Sequence, residues 1–180
     1  MTGFRRVLFR SGYLASVNPA YEFALNYLLV DEGTTLENVQ FDTGGTTKFG
    51  VIVDDLVNMG YPNACAKNIA DLTVYDAKYI YRKLYWNKLN LDSVKDQSIA
   101  TALFDIGVVR GIGVIPHYLQ QMYNTTDITI VNSQDVNTFL DKFKSLCDLS
   151  FHQIVEAHPT DAKFLQGWLN RSARLLTLKK

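Results

Sequence analysis

Glu32 ends a run in which Tyr21, Ala24, Leu25, Leu28 and Leu29 recur at helical spacing. It falls four residues after Leu28 and seven after Leu25, so its carboxylate lies on the apolar stripe and not on the solvated side. Three effects push the pKa of such a carboxyl upward: desolvation by the stripe, the negative end of the helix it terminates, and the neighbouring Asp31. A carboxylic acid still protonated near neutral pH can give its proton to a glycosidic oxygen as the bond breaks. The plainer alternative is an ordinary carboxylate at a helix end. Asp42 and Thr47 follow Glu32 by 10 and 15 residues, on a stretch that can fold back over the helix end. There an ionised carboxylate and a hydroxyl would face the acid and hold a water on the opposite side of the bond. An inverting glycosidase needs this set, with its two carboxyls roughly 6.5 to 9.5 Å apart. In Asp42-Thr43-Gly44-Gly45, Asp42 is equally suited to bonding its own backbone in a turn.

The elements that must position these residues are legible from local signals. Asn18 can cap a helix whose first position is Pro19, and this helix runs to about Glu32, with Gly33 as its terminator. Residues 34 to 52 are rich in β-formers interrupted by turn chemistry, which predicts a small hairpin or irregular β lobe. Val53 to Met59 reads as a short helix closed by Gly60 and Pro62, and Thr73-Val74-Tyr75-Asp76 opens a helix to about Trp86. Ser98 can open the next, carrying Ile99, Leu103 and Ile106, until Gly111-Ile112-Gly113 breaks it. Val114 to Tyr123 follows, with Pro116 tolerated in its first turn, and then a polar stretch from Asn124 to Ser133. Two long helices complete the chain, Gln134 to about His158 and Asp161 to about Leu176, with Thr160 as a cap. The expected fold is mainly α (α+β), a helical bundle body with a small β-hairpin lobe after the first helix. Residues 1–17 read as a leader outside the fold and 18–180 as a single domain.

Composition narrows the function classes. The chain has 180 residues with 18 basic and 18 acidic side chains, so no net charge draws it to nucleic acid or to an anionic membrane. A polyanion would have to meet a local cluster such as Arg171, Arg174, Lys179 and Lys180. No apolar run approaches the ~18 residues that a membrane span needs, and no export signal is evident. Cys65 and Cys147 are expected to be buried thiols, with a bridge between them as the alternative. His117, His152 and His158 lack the spacing of paired metal ligands, so neither a metal nor a cofactor is expected. Gly44 to Gly50 is not a phosphate loop, because no Gly-Lys-Ser/Thr follows it.

Phe23-Ala24-Leu25-Asn26-Tyr27-Leu28-Leu29-Val30-Asp31-Glu32-Gly33, then Asp42-Thr43-Gly44-Gly45-Thr46-Thr47-Lys48-Phe49-Gly50-Val51, resemble the start of glycoside hydrolase family 108. Leu72 to Tyr85-Trp86 and Leu103-Phe104-Asp105 are similar to that family's middle helices, and Phe164 to Arg171 to its C-terminal segment. The resemblance implies a lysozyme-like fold and the activity of phage endolysins and bacterial N-acetylmuramidases. Glu32 takes the position of the catalytic acid, and Glu32, Asp42 and Thr47 are also similar to the Glu, Asp and Thr of T-even phage lysozymes. It further implies a catalytic part over 18–110 and a peptidoglycan-binding part over 111–180. The implied protein is a monomer made in the cytoplasm of a bacterial host and acting on peptidoglycan strands at the cell wall or periplasm. Tyr85 and Trp86 are candidates for stacking on sugar rings, with a core position as the alternative. Asp105 is either part of the cleft wall or, as the residues favour, a buried hydrogen-bonding partner. Trp168 and Arg171 are expected to pack and tie the last helix. The chain departs from the family pattern at Thr34 and Thr35, at Val109 and around Ile128. Those departures leave a non-catalytic wall-binding or structural component as one rival, and a chitinase-like glycosidase is another.

Overall fold

The computed structural model of the chain describes residues 18–30 and 50–180. They are mostly helical, and no strand occurs among them. The β lobe expected over 34–52 lies outside the described residues apart from its last three. The chain divides into two compact units at Lys88 and Leu89.

The first unit begins with α1, Pro19–Val30. Asn18 caps it as its residue type predicts: its Oδ1 accepts from the amides of Ala20 at 2.9 Å and Tyr21 at 3.3 Å. The stripe Tyr21, Ala24, Leu25, Leu28 and Leu29 is buried, whereas Phe23 between them is half exposed. Helix α2, Val53–Asn58, is stopped at Gly60, whose φ of +94° suits a residue without a Cβ. Helix α3, Ala66–Ala70, was not foreseen, because five residues carry too little periodicity to stand out. Helix α4, Val74–Tyr81, opens on the expected box, with Thr73 N–H donating to Asp76 Oδ2 at 2.7 Å and Asp76 N–H to Thr73 Oγ1 at 3.3 Å. It continues into a π-helical turn, Arg82–Trp86. Ala77, Ile80, Tyr81 and Leu84 follow the spacing of an α-helix into the core, and the widened turn lets Trp86 join them two residues later.

The second unit is organised around α5, Gln97–Arg110, in which every residue from Ser98 to Gly107 is buried. A helix enclosed on all sides is the centre of its unit. A 3-10 turn, Leu91–Ser93, leads into it. Around it lie α6, Val114–Tyr123, then a 3-10 segment, Ile128–Ser133, within the expected polar stretch, and the long α7, Val136–Ala157. The turn Pro159–Asp161 leads to α8, Ala162–Arg174, and the chain closes in a 3-10 turn, Leu175–Leu178. Phe139 and Phe143 stack at 5.3 Å, Tyr118 meets Phe143 edge-on at 5.8 Å, and Phe151 stacks on Trp168 at 5.5 Å. Two expected caps are corrected. The side chain opening α5 is Asp96, which accepts from the amides of Ser98 at 2.9 Å and Ile99 at 3.1 Å, so Ser98 itself lies in the first turn. Helix α8 starts after Asp161, not Thr160, and its cap residue makes no side-chain cap bond. Cys147 is buried, but Cys65 is exposed, and no bridge joins them.

These caps imply an acid limit to stability. Burial acts to raise the carboxyl of Asp96, but the Lys180 ammonium and the amides of Ile99 and Ser98 outweigh it and hold the pKa below its ordinary value. Backbone and hydroxyl donors, from Thr129 for Asp127 and from Thr138 for Asp135, lower those two carboxyls. A lowered folded-state pKa contributes stability above the unfolded value that is lost as pH falls through the folded one. Asp55, raised mainly by burial, has the opposite sign, since its contribution declines as pH rises through its folded value. Among the described residues the carboxyls held low outnumber the one raised, so the thermal midpoint is expected to drop as pH falls through their folded values, a decline that circular dichroism melts between about pH 4 and about pH 2 will measure.

Candidate active site

Helix α1 is the element that carries the chain towards Glu32. Its first turn is tied to α4 and the π turn through Tyr21. The phenol donates to Lys78 O at 2.5 Å, the ring meets Trp86 edge-on at 5.5 Å, and the Arg82 guanidinium lies 5.8 Å above the ring. The ammonium of the same Lys78 pairs with Glu22. Glu32, Asp42 and Thr47 lie outside the described residues, so their mutual geometry belongs to the proposal below.

The described chain resumes at Gly50 and is held again by the same helix. Gly50 has φ +73°, and a Cβ there would overlap the Tyr81 hydroxyl. Val51 is buried, and the Ile52 amide donates to Asp55 Oδ2 at 3.0 Å. The other oxygen of Asp55 accepts from the Tyr85 phenol at 3.2 Å. Burial is the main cause that raises the Asp55 carboxyl, with Asp54 adding to it and the Ile52 amide and Tyr85 phenol opposing. Burial, followed by the charge and hydrogen bond of Asp55, pushes Tyr85 up to about 12. At neutral pH Tyr85 therefore keeps its proton and spends it on Asp55. Sequence reasoning missed Asp55. Its signal was an acidic residue in the first turn of a short helix, while its partner stands 30 residues further on.

The remaining sequence candidates separate clearly. Trp86 is wholly buried against Tyr21, so it offers no ring face to a sugar, and the core alternative describes it. Tyr85 is half buried with its hydroxyl engaged. Asp105, in the second unit, is fully buried, the position that the residues favoured over a place in a cleft wall. Its Oδ2 accepts from Arg171 Nε and its Oδ1 from Arg171 Nη2, both at 3.0 Å, and Arg174 Nη2 lies 3.4 Å from Oδ1. Each member of the C-terminal basic cluster lies beside an acidic side chain. Arg171 and Arg174 serve Asp105, Lys179 pairs with Asp141 at 2.6 Å, and Lys180 pairs with Asp96. A groove of about 580 Å³ on the second unit is lined by residues of α6 and α7, including Gln121, Met122, Lys142 and Leu149. Its single carboxylate, Asp141, falls short of the pair that acid–base hydrolysis of a glycoside requires. No group of metal-binding side chains occurs among the described residues, and none of their helices is long and apolar enough to cross a membrane.

Residues 25–111 match the model of a glycosyl hydrolase family, which makes this stretch a glycosidase domain with glycans as its substrate class. That family is glycosyl hydrolase family 108, and the match spans residues 25–111 of the chain. No curated protein and no solved structure matches it. The matched stretch contains Glu32, Asp42 and Thr47 and everything described from α2 to the end of α5.

Proposed function

We propose that this protein is a lysozyme-type N-acetylmuramidase that hydrolyses the β-1,4 bond between N-acetylmuramic acid and N-acetylglucosamine in peptidoglycan. Glu32 is the general acid, and Asp42 with Thr47 holds and activates the water. The observation that carries this reading is the family match over the stretch bearing all three residues. The buried stripe of α1 supports it: Leu28 is 4% exposed, and Glu32 follows it in the sequence by four residues, the spacing that keeps to one face of a helix. A neighbourhood of that kind keeps a carboxyl protonated long enough to donate to a leaving oxygen. The site of action is the bacterial cell wall.

The test is digestion of purified sacculi, with mass spectrometry of the new reducing ends and sedimentation of the protein in the same tubes. N-acetylmuramic acid at the new reducing ends is the expected result. N-acetylglucosamine there would move the cut to the other bond of the repeat, and cleavage of chitin oligomers with intact sacculi would make the protein a chitinase-like enzyme. Co-sedimentation without any released sugar would leave a wall-binding component.

A further inference from the structure

The segment between Val30 and Gly50 holds all three proposed catalytic residues, and the described structure on either side of it is fastened to one element. On the α1 side the fastening is Tyr21 with Lys78, Arg82 and Trp86, and Glu22 with Lys78. On the other side it is the Tyr81 hydroxyl seated against Gly50 and the relay from Tyr85 through Asp55 to the Ile52 amide. Tyr81 and Tyr85 are four residues apart on α4 and its π turn, with ring centroids 5.8 Å from each other. Asp55 is 8% exposed, so the relay works in a poorly hydrated place where hydrogen bonds hold firmly. Between Tyr81 and Tyr85 the chain from Gly50 to Ile52 is spanned along its length, with Val51 sunk in the core.

We propose that Tyr81, Tyr85 and Asp55 form a clamp that sets where the segment carrying Asp42 and Thr47 rejoins the helical body, making them positioning residues for glycan hydrolysis. This rests on the hydrolase function proposed above. Tyr85 then affects turnover through the backbone at Ile52 and not by stacking on a sugar. Displacing a catalytic group by about 1 Å costs on the order of a hundredfold in rate even when the change is remote from the chemistry. The clamp's loss should therefore show in kcat and leave KM in place.

The test uses the full chain and three measurements: steady-state turnover on solubilised peptidoglycan, thermal midpoint, and hydrogen exchange at the amides of residues 50–56. Tyr85→Phe and Asp55→Asn are expected to lower kcat by about tenfold to a hundredfold with KM within about twofold. Exchange should rise at the Ile52 amide while exchange in α5 and α7 stays as in the wild type. Gly50→Ala should lose turnover because its Cβ overlaps the Tyr81 hydroxyl. Tyr81→Phe should restore part of it, because the remaining ring carbon lies 3.7 Å away, in ordinary contact. The thermal midpoints of the same proteins separate a rescue of turnover from a rescue of stability, and the φ of +73° at residue 50 keeps the rescue partial. Faster exchange at Ile52 with full turnover, unchanged exchange, or a KM effect alone would each overturn the clamp. A wild-type chain that cleaves no glycan would overturn the hydrolase function and this proposal with it. An active wild type with fully active Tyr85→Phe would overturn the clamp alone.

Discussion

Asp105→Ala is expected to destabilise the second unit by about 3–5 kcal/mol and to lower its unfolding midpoint by on the order of 15–30 °C. The carboxylate is fully buried, and the two guanidiniums around it are on side chains only 14% and 16% exposed. Removing it leaves two like charges facing each other with little water to screen them. The loss is a large share of the ~5–15 kcal/mol that holds a typical domain together. Its origin is the two like charges left beside each other and not any large net gain from the intact cluster, because bringing three charges out of water offsets most of their attraction. A second variant follows from that distinction. Replacing all three residues with apolar ones of similar volume, Asp105→Leu with Arg171→Met and Arg174→Met, should recover most of the stability. Urea titrations of the three proteins separate the accounts: an Asp105→Ala midpoint equal to wild type would mean the cluster contributes nothing. Because the cluster is buried, adding salt should leave the difference between wild type and Asp105→Ala nearly unchanged.

The same residue shows where sequence reading succeeds and stops. That Asp105 prefers a structural role was legible from its apolar neighbours Phe104 and Ile106. That its partners are Arg171 and Arg174 was not, since they stand 66 and 69 residues further on and nothing local encodes the pairing. Local features were read well: the Asn18-Pro19 start, the Thr73 and Asp76 box, the break at Gly111 with φ +82°, and the stripe of α1 all depend on bonds or spacings within a few residues. Where two capping types stand close together, local signals do not decide. Asp96 takes the cap of α5 over Ser98, and it is Asp96 that also meets Lys180, 84 residues away in sequence. The π turn accounts for the core position of Trp86, one of the two alternatives that the sequence left open. Adjacent aromatics on a regular helix point about 100° apart and cannot readily both turn inward, and the widened turn buries Trp86 fully and Tyr85 in part.

Glu32→Gln is expected to lower kcat on peptidoglycan by about a hundredfold to ten-thousandfold, the usual contribution of a general acid, with binding to sacculi retained. Glutamine keeps the shape and the hydrogen-bonding reach of the side chain but has no proton to give to the leaving oxygen, so the loss falls on the bond-breaking step. The pH dependence follows from the two proposed roles. Glu32 in that role must be protonated, so activity falls as pH rises through its pKa. Asp42 must be ionised, so activity falls again as pH drops through its own value, and the profile is a bell. Asp42→Asn should remove most of the rate and with it the acid limb of what remains. Rates measured from roughly pH 4 to pH 9 on solubilised glycan strands decide the matter. A flat profile would exclude the two-carboxylate scheme, and a folded Glu32→Gln protein clearing peptidoglycan at the wild-type rate would remove Glu32 from the chemistry. The two variants also separate this site from the clamp. Glu32→Gln should abolish the alkaline limb without altering exchange at Ile52. Tyr85→Phe should lower the whole bell while leaving both limbs where they are, since it moves a backbone and not a proton.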